Sequence, residues 1–444
     1  MALTLAAAGD ALATRRLGTD ERARATYDRV RAADVGVVNL EMLLHDYEGH
    51  PAAESVAHFS GTYLRGPPWV ADELADAGFD LFAAASNHTG DYSHGGMRAT
   101  MRALEERDLA YAGLGRSLAA AREPAFVDTP EGRVALVAAV STVTPGTEAG
   151  PREGAVPGRP GVCPLRLERR HVVPPEDIER LRTVSERLGL EDVKRQREEV
   201  GLPAEMDDGD GEAFGFLDVA RGHGETLDFV AGDDHGVKQV PRSEDRTALL
   251  ESVAEADRQA DHVVVSLHAH EGENGAYNDG TVAPFVESVA RDCVDAGADA
   301  FVGHGPHTVR GIELYDGAPL LYSLGDFITQ YDAVTRQPPA SYDRHGIPAG
   351  ERRPSVVAER ILDKREYFES VLAVCELGGD GAEVALYPVE EGFDDDPPIH
   401  GEPRAVGGET AERVLERVAE RSEPYGTEIE VEDGVGYVRD GSGG

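Results

Sequence analysis

The residues able to do chemistry sit where apolar runs end. Ala300, Phe301 and Val302 read as a buried strand, and Gly303-His304-Gly305-Pro306-His307 follows at once. Two imidazoles on a turn of Gly and Pro are held in fixed directions, with room beside the backbone for an ion. Imidazole is also the commonest metal-ligand side chain. The same arrangement recurs upstream. Residues 3–8 form an apolar run that Gly9-Asp10 closes, and residues 35–40 carry Asn39 and lead to Glu41. Residues 79–85 lead to Ser86-Asn87-His88-Thr89-Gly90-Asp91, and residues 262–267 to His268-Ala269-His270-Glu271. Each alone has an ordinary explanation, such as a turn Asp, a helix cap or a polar loop. Five apolar runs ending in ligand types argue for one site, because open α/β sheets bind ligands beyond the carboxyl ends of their strands.

The donors are oxygen and nitrogen without thiolate. That mixture suits a pair of divalent ions, Mn²⁺, Fe²⁺ or Zn²⁺. Paired ions roughly 3.5–4 Å apart clamp the attacking and leaving oxygens of an in-line displacement. His88 would stand beside the ions and protonate a leaving oxygen, with Asp91 fixing its tautomer. His268 is closer to its strand than His270 is. His270 and Glu271 are therefore expected to be solvated or to contact substrate.

The elements between these points must position them. Helices are expected over residues 19–33, 67–77, 97–107, 244–260 and 282–295, between the apolar runs. The last has Phe285, Val286, Val289, Ala290 and Cys293 at helical spacing, a core-facing stripe. Residues 125–140 read as a hairpin. Residues 146–244 break the rhythm, being rich in Pro, Gly and charge with one charged helix near 176–188, and read as an insertion or lid. The expected organisation is a core of residues 1–145 and 245–400, that insertion, and a C-terminal helix and β segment over 401–444. The loop with Pro338-Pro339 is expected to cap the site.

The 444 residues carry 83 acidic against 43 basic side chains, a formal net charge of −40. Only three of the basic residues are lysines, Lys194, Lys238 and Lys364. Such an acidic, lysine-poor surface fits a salty cytoplasm, where screening shortens electrostatic range to roughly 3 Å at 1 M salt. It argues against nucleic acid or an anionic membrane as a partner. The three cysteines are far apart and form no CxxC pair, as expected in a reducing compartment. The start, MALTLAAAGD, lacks the basic segment of a signal peptide, and no apolar run reaches the roughly 18 residues of a membrane helix. A cytoplasmic protein with no membrane anchor is expected, with a small-molecule, peptide or polymer substrate.

In order, Gly9-Asp10, Asn39-Leu40-Glu41, Asn87-His88 with Asp91, His268, Gly303-His304-Gly305-Pro306-His307 and Tyr322-Ser323-Leu324-Gly325-Asp326-Phe327 resemble the CapA family, the capsule and poly-γ-glutamate biosynthesis proteins. Their fold is similar to that of the calcineurin-like metallophosphatases. The resemblance implies an α/β fold, a four-layer α/β/β/α sandwich of the metallo-dependent phosphatase type. It implies metal ligation by Asp10, Glu41, Asn87, His268, His304 and His307, with Asn39 as ligand or support, and matches His88 to a proton-donating His. Two positions depart from the family pattern. His268-Ala269-His270 replaces a His-Trp-Gly sequence, and Asp326 stands where Asn is expected. The implied activity is metal-dependent hydrolysis of a phosphoester or of an amide such as a γ-glutamyl bond. A non-catalytic part in surface-polymer synthesis or export, or a peptide isomerase on the same scaffold, are the alternatives.

Overall fold

Two sheets stack face to face, and each has a parallel centre. The computed structural model describes residues 2–52, 62–202, 213–217, 226–331, 334, 342, 364–378, 381–396 and 399–441. The Pro338-Pro339 loop, expected to cap the site, lies outside these residues, as does the acidic stretch 206–212. In the first sheet Leu3–Leu12, Val35–Leu40, Leu81–Ala83 and Ala110–Ala112 lie side by side in parallel. Glu369–Leu377 joins Leu3–Leu12 antiparallel, and Glu383–Glu390 and the hairpin Thr427–Glu432/Val435–Asp440 extend that edge. In the second sheet Gly132–Val140, His262–His268, Ala300–His304 and Ala318–Leu321 are parallel, with Ala125–Thr129 and Ile312–Tyr315 antiparallel at the edges.

Strand alternation builds the layers. Leu3, Leu5, Ala7, Val35 and Val37 face the gap between sheets and meet Val134, Leu136, Ala138, Val264 and Val302 from the other side. The intervening residues, Ala6, Ala8 and Val38, face outward and are covered by Tyr27 and Val30 of helix Glu21–Ala32 and Leu74 of Val70–Asp76. Val263, Val265, Leu267 and Phe301 do the same on the second sheet, under Val253 of Ser243–Asp257 and Phe285, Val286 and Val289 of Pro284–Asp295. Strands apolar on both faces are what a sheet buried on both sides requires. The result is the α/β/β/α sandwich of the metallophosphatase type.

Two local expectations need correction. Asp10 does not close the first strand. The strand runs on to Leu12, because Asp326–Thr329 pairs in parallel with its far end while its register slips around Asp10. The region 146–244 holds more order than one charged helix. Leu167–Val173, Ala213–Leu217, Thr226–Ala231 and Gly236–Pro241 form a four-stranded sheet, backed by helices Pro175–Arg187 and Leu190–Glu199. Val173, Ile178 and Phe214 give it a small core of its own. Three of its strands are half-exposed and carry charge, as in LERRHVV, so they show no apolar alternation to read, and the buried Ala213–Leu217 is only five residues long. No helix among the described residues is long and apolar enough to cross a membrane.

Candidate metal centre

Parallel register brings the strand ends into line. Asp10 stands opposite Asn39 on one side and Asp326 on the other, and His268 stands opposite His304. The two rows face each other where the sheets meet. Asp10 is buried, and its Oδ1 accepts from Asn39 Nδ2 at 2.5 Å while Oδ2 accepts the Gly305 N–H at 2.9 Å. Burial would raise its pKa, but His268, His304 and His307 hold it well below the ordinary carboxylate range. Gly9 makes the approach of Asp326 possible, since a Cβ there would lie 1.7 Å from the Gly325 carbonyl oxygen.

The second amide hydrogen of Asn39 reaches His268 Nδ1 at 3.2 Å. His268 Nε2 points at Asn87 Oδ1, 3.0 Å away, and at His270 Nε2, 3.1 Å away. Glu41 Oε1 lies 3.9 Å from the same nitrogen. His270 places its Nδ1 2.6 Å from Asn278 Oδ1, so Nδ1 donates and Nε2 turns a lone pair to the cluster. Burial, with His268 and His307 nearby, keeps His270 far below the ordinary histidine value, and therefore neutral. The buried Arg310 guanidinium donates to the carbonyls of Asp279, Ala269 and His270, which straps this loop in place.

The turn after Ala300–His304 adds two more imidazoles. Gly305 takes φ +111°, open to glycine alone, and this aims its N–H at Asp10. His307 takes φ +59°, a left-handed strain that costs about 1 kcal/mol or more and tends to mark functional positions. Its Nδ1 lies 3.0 and 3.1 Å from the two Asp326 oxygens. Burial works against protonation of His307, yet Asp326 raises its pKa above the ordinary value. Burial raises Asp326, and it lifts Glu41 well above its usual range with help from Asp10, Asp326 and Asp91.

His88 and Asp91 stand beside the cluster on the turn Asn87–Gly90. His88 Nδ1 is 2.8 Å from Asp91 Oδ2, which also accepts the Leu64 N–H at 2.6 Å. Glu271 is buried but held apart, its Oε2 accepting from the Ser141 and Thr142 hydroxyls at 2.8 Å each.

Two sets of ligand atoms converge within 4.8 Å of one another. One is Asp10, Glu41, His307 and Asp326; the other is Glu41, His268 and His270. Glu41 belongs to both. Asn87 Oδ1 borders the second set through His268, whereas His304, His88 and Glu271 fall outside both. Several atoms nonetheless await a partner. Glu41 Oε1, Asn39 Oδ1 and both ring nitrogens of His304 are buried without a hydrogen bond. Each such atom costs about 1–3 kcal/mol. Three carboxylates and three imidazoles converging, with orphaned donor atoms among and beside them, fit divalent cations. Asp326 and the inward aim of His270 escape a reading of spacing alone. The departures of both from the family pattern are the sequence signal that could have found them.

A model of the bacterial capsule synthesis protein PGA_cap matches residues 4–331, which include every residue of this cluster. The chain belongs to the PGA_cap family. Within reach of PGA_cap relatives, the chain is 33% identical over 455 residues to "Uncharacterized protein y4sH" of Sinorhizobium fredii (strain NBRC 101917 / NGR234), covering 98% of this chain and 93% of that one. It is 24% identical over 341 residues to capsule biosynthesis protein CapA of Bacillus anthracis, 73% of this chain and 59% of that one. Over 84 residues it is 38% identical to PGA biosynthesis protein CapA of Bacillus subtilis (strain 168), 19% of this chain and 21% of that one. The metallophosphatase-type sandwich is the fold of the PGA_cap family.

Proposed function

We propose that this chain is a metal-dependent hydrolase with a dinuclear centre, cleaving an amide such as a γ-glutamyl bond, or a phosphoester, in an anionic substrate. One observation carries the reading. The Glu41 carboxylate is common to both convergent ligand sets, as a group shared by two ions must be. Asp10, His307 and Asp326 would hold one ion with Glu41, and His268 and His270 the other, with Asn87 beside them. Such ions supply Lewis-acid polarisation of the scissile group. The relatives named for capsule and PGA biosynthesis favour a glutamyl polymer or its fragments.

The chain's own residues do the rest. Asn278 fixes the His270 tautomer, and burial keeps that ring neutral, the form a ligand needs. The Gly305 N–H and Asn39 amide fix Asp10. Asp91 accepts from His88 Nδ1 and orients the ring, so that the other ring nitrogen, Nε2, is the one left to deliver a proton to a departing nitrogen or oxygen. The test is metal analysis of the purified chain, followed by a screen of the Mn²⁺-supplemented protein on γ-glutamyl peptides and phosphoesters. Bound transition metal and metal-stimulated cleavage are expected. A protein that takes up no metal and cleaves neither class sinks the reading.

A further inference from the structure

A cavity of about 740 Å³ lies between the four-stranded insertion and the second sheet, lined by Ser141, Thr142, Glu271 and Tyr277 from the core and Arg169 and Arg242 from the insertion. It adjoins the candidate metal centre. The Tyr277 ring stacks on His270, centroids 4.9 Å apart and planes 6° from parallel. Thr142 Oγ1, which donates to Glu271, accepts the His270 N–H at 3.0 Å. The insertion is seated against the same loop, since a Cβ at Gly275 would meet Val237 at 3.4 Å.

Most charges here are already matched. Arg166 makes a two-pronged contact with Asp245, at 2.7 and 2.9 Å, and reaches Glu244 at 3.0 Å. Glu148 pairs with Arg159 at 3.8 Å, and two hydroxyls solvate Glu271. Arg169 and Arg242 differ. Neither guanidinium has a hydrogen bond or ion pair among the described residues, and Arg242 Nε is buried without a partner. Leu167 and Arg169 lie on one face of their strand, and the Arg242 N–H donates to the Arg166 carbonyl at 2.8 Å. Both guanidinium groups are thus carried to one wall. In a chain of net charge −40, two unmatched arginines beside a buried cluster offer an anion what the rest of the surface denies it.

We infer that Arg169 and Arg242 form a subsite for a carboxylate of the substrate flanking the bond to be cleaved, with Tyr277 as the wall between subsite and metal centre. This rests on the hydrolase reading for its substrate class, and its test is a binding measurement that does not need turnover. Tri-γ-glutamate is titrated calorimetrically into the full chain at low salt, with metal content measured in parallel. The Arg169→Gln/Arg242→Gln double variant should bind it about 100-fold more weakly, about tenfold for each charge-assisted hydrogen bond, with unaltered metal content and melting temperature. Arg159→Gln should bind like wild type. Double lysine replacement should restore part of the affinity. No binding to the wild type, or equal binding to the double variant, overturns the subsite. Binding that these arginines control, in a chain that holds no metal, would keep the subsite and sink the hydrolase.

Discussion

Acid should destabilise the metal-free protein through His304, by an amount that can be worked out. Burial holds this imidazole at about 4, below its ordinary 6.5, although Asp10 pulls the other way. The ring is fully buried and neither nitrogen is hydrogen-bonded, so the fold accommodates only the neutral form. The unfolded chain takes up the proton near 6.5 and the folded chain only near 4. The stability contributed by the neutral ring is therefore complete above 6.5 and drains away as pH falls toward 4. At about 1.4 kcal/mol per tenfold, the full loss is about 3 kcal/mol, of which about 2 kcal/mol falls between pH 7 and pH 5. The assay is urea unfolding of wild type and His304→Leu, with chelator, at pH 7, 6 and 5. Wild type should lose about 2 kcal/mol more than the variant over that range. Glu41 titrates in both proteins, and His304 is not among the groups that shift it, so its contribution cancels in the difference. Parallel pH dependences for the two proteins would refute the reasoning.

Metal stoichiometry separates the two ligand sets. Glu41→Gln should lose both ions by elemental analysis, whereas His270→Ala should keep one, and equal losses would show a single ion. His88→Ala should retain its metal and lose about 10²–10⁴ in kcat; loss of metal instead would make His88 a ligand. Gly9→Ala should be severely destabilising, by about 4 kcal/mol or more in a denaturant melt, because its methyl would collide with the Gly325 carbonyl and push Asp10 from Asp326. A near-wild-type melt would mean the two strands can slide apart without cost.

The four layers were legible in the chain because strands buried on both faces must be apolar along their middles, and 35–38, 81–85, 263–265 and 300–302 are. Which side chains end those runs was legible too. Asp10, Asn39, Glu41, Asn87, His268 and His304 are polar residues at the margins of apolar segments, and burial there is costly without a partner. What the chain order could not show is which donors share a point in space. That follows from register between strands distant in sequence. Asp10 is set against Asp326 and His268 against His304, and a slip of one residue would turn each to the opposite face. Asp326 joins a ligand set through this register, whereas His270, past the end of its strand, is turned inward by Asn278 and by the loop that Arg310 straps. Three of the insertion's strands were hidden because half-exposed, charged strands carry no alternation. Arg169 and Arg242 became neighbours only when Leu167–Val173 and Gly236–Pro241 paired in antiparallel. Residue chemistry and apolar spacing are properties of the chain; the distances that make a site belong to the packed sheets, since only close packing fixes buried groups against one another.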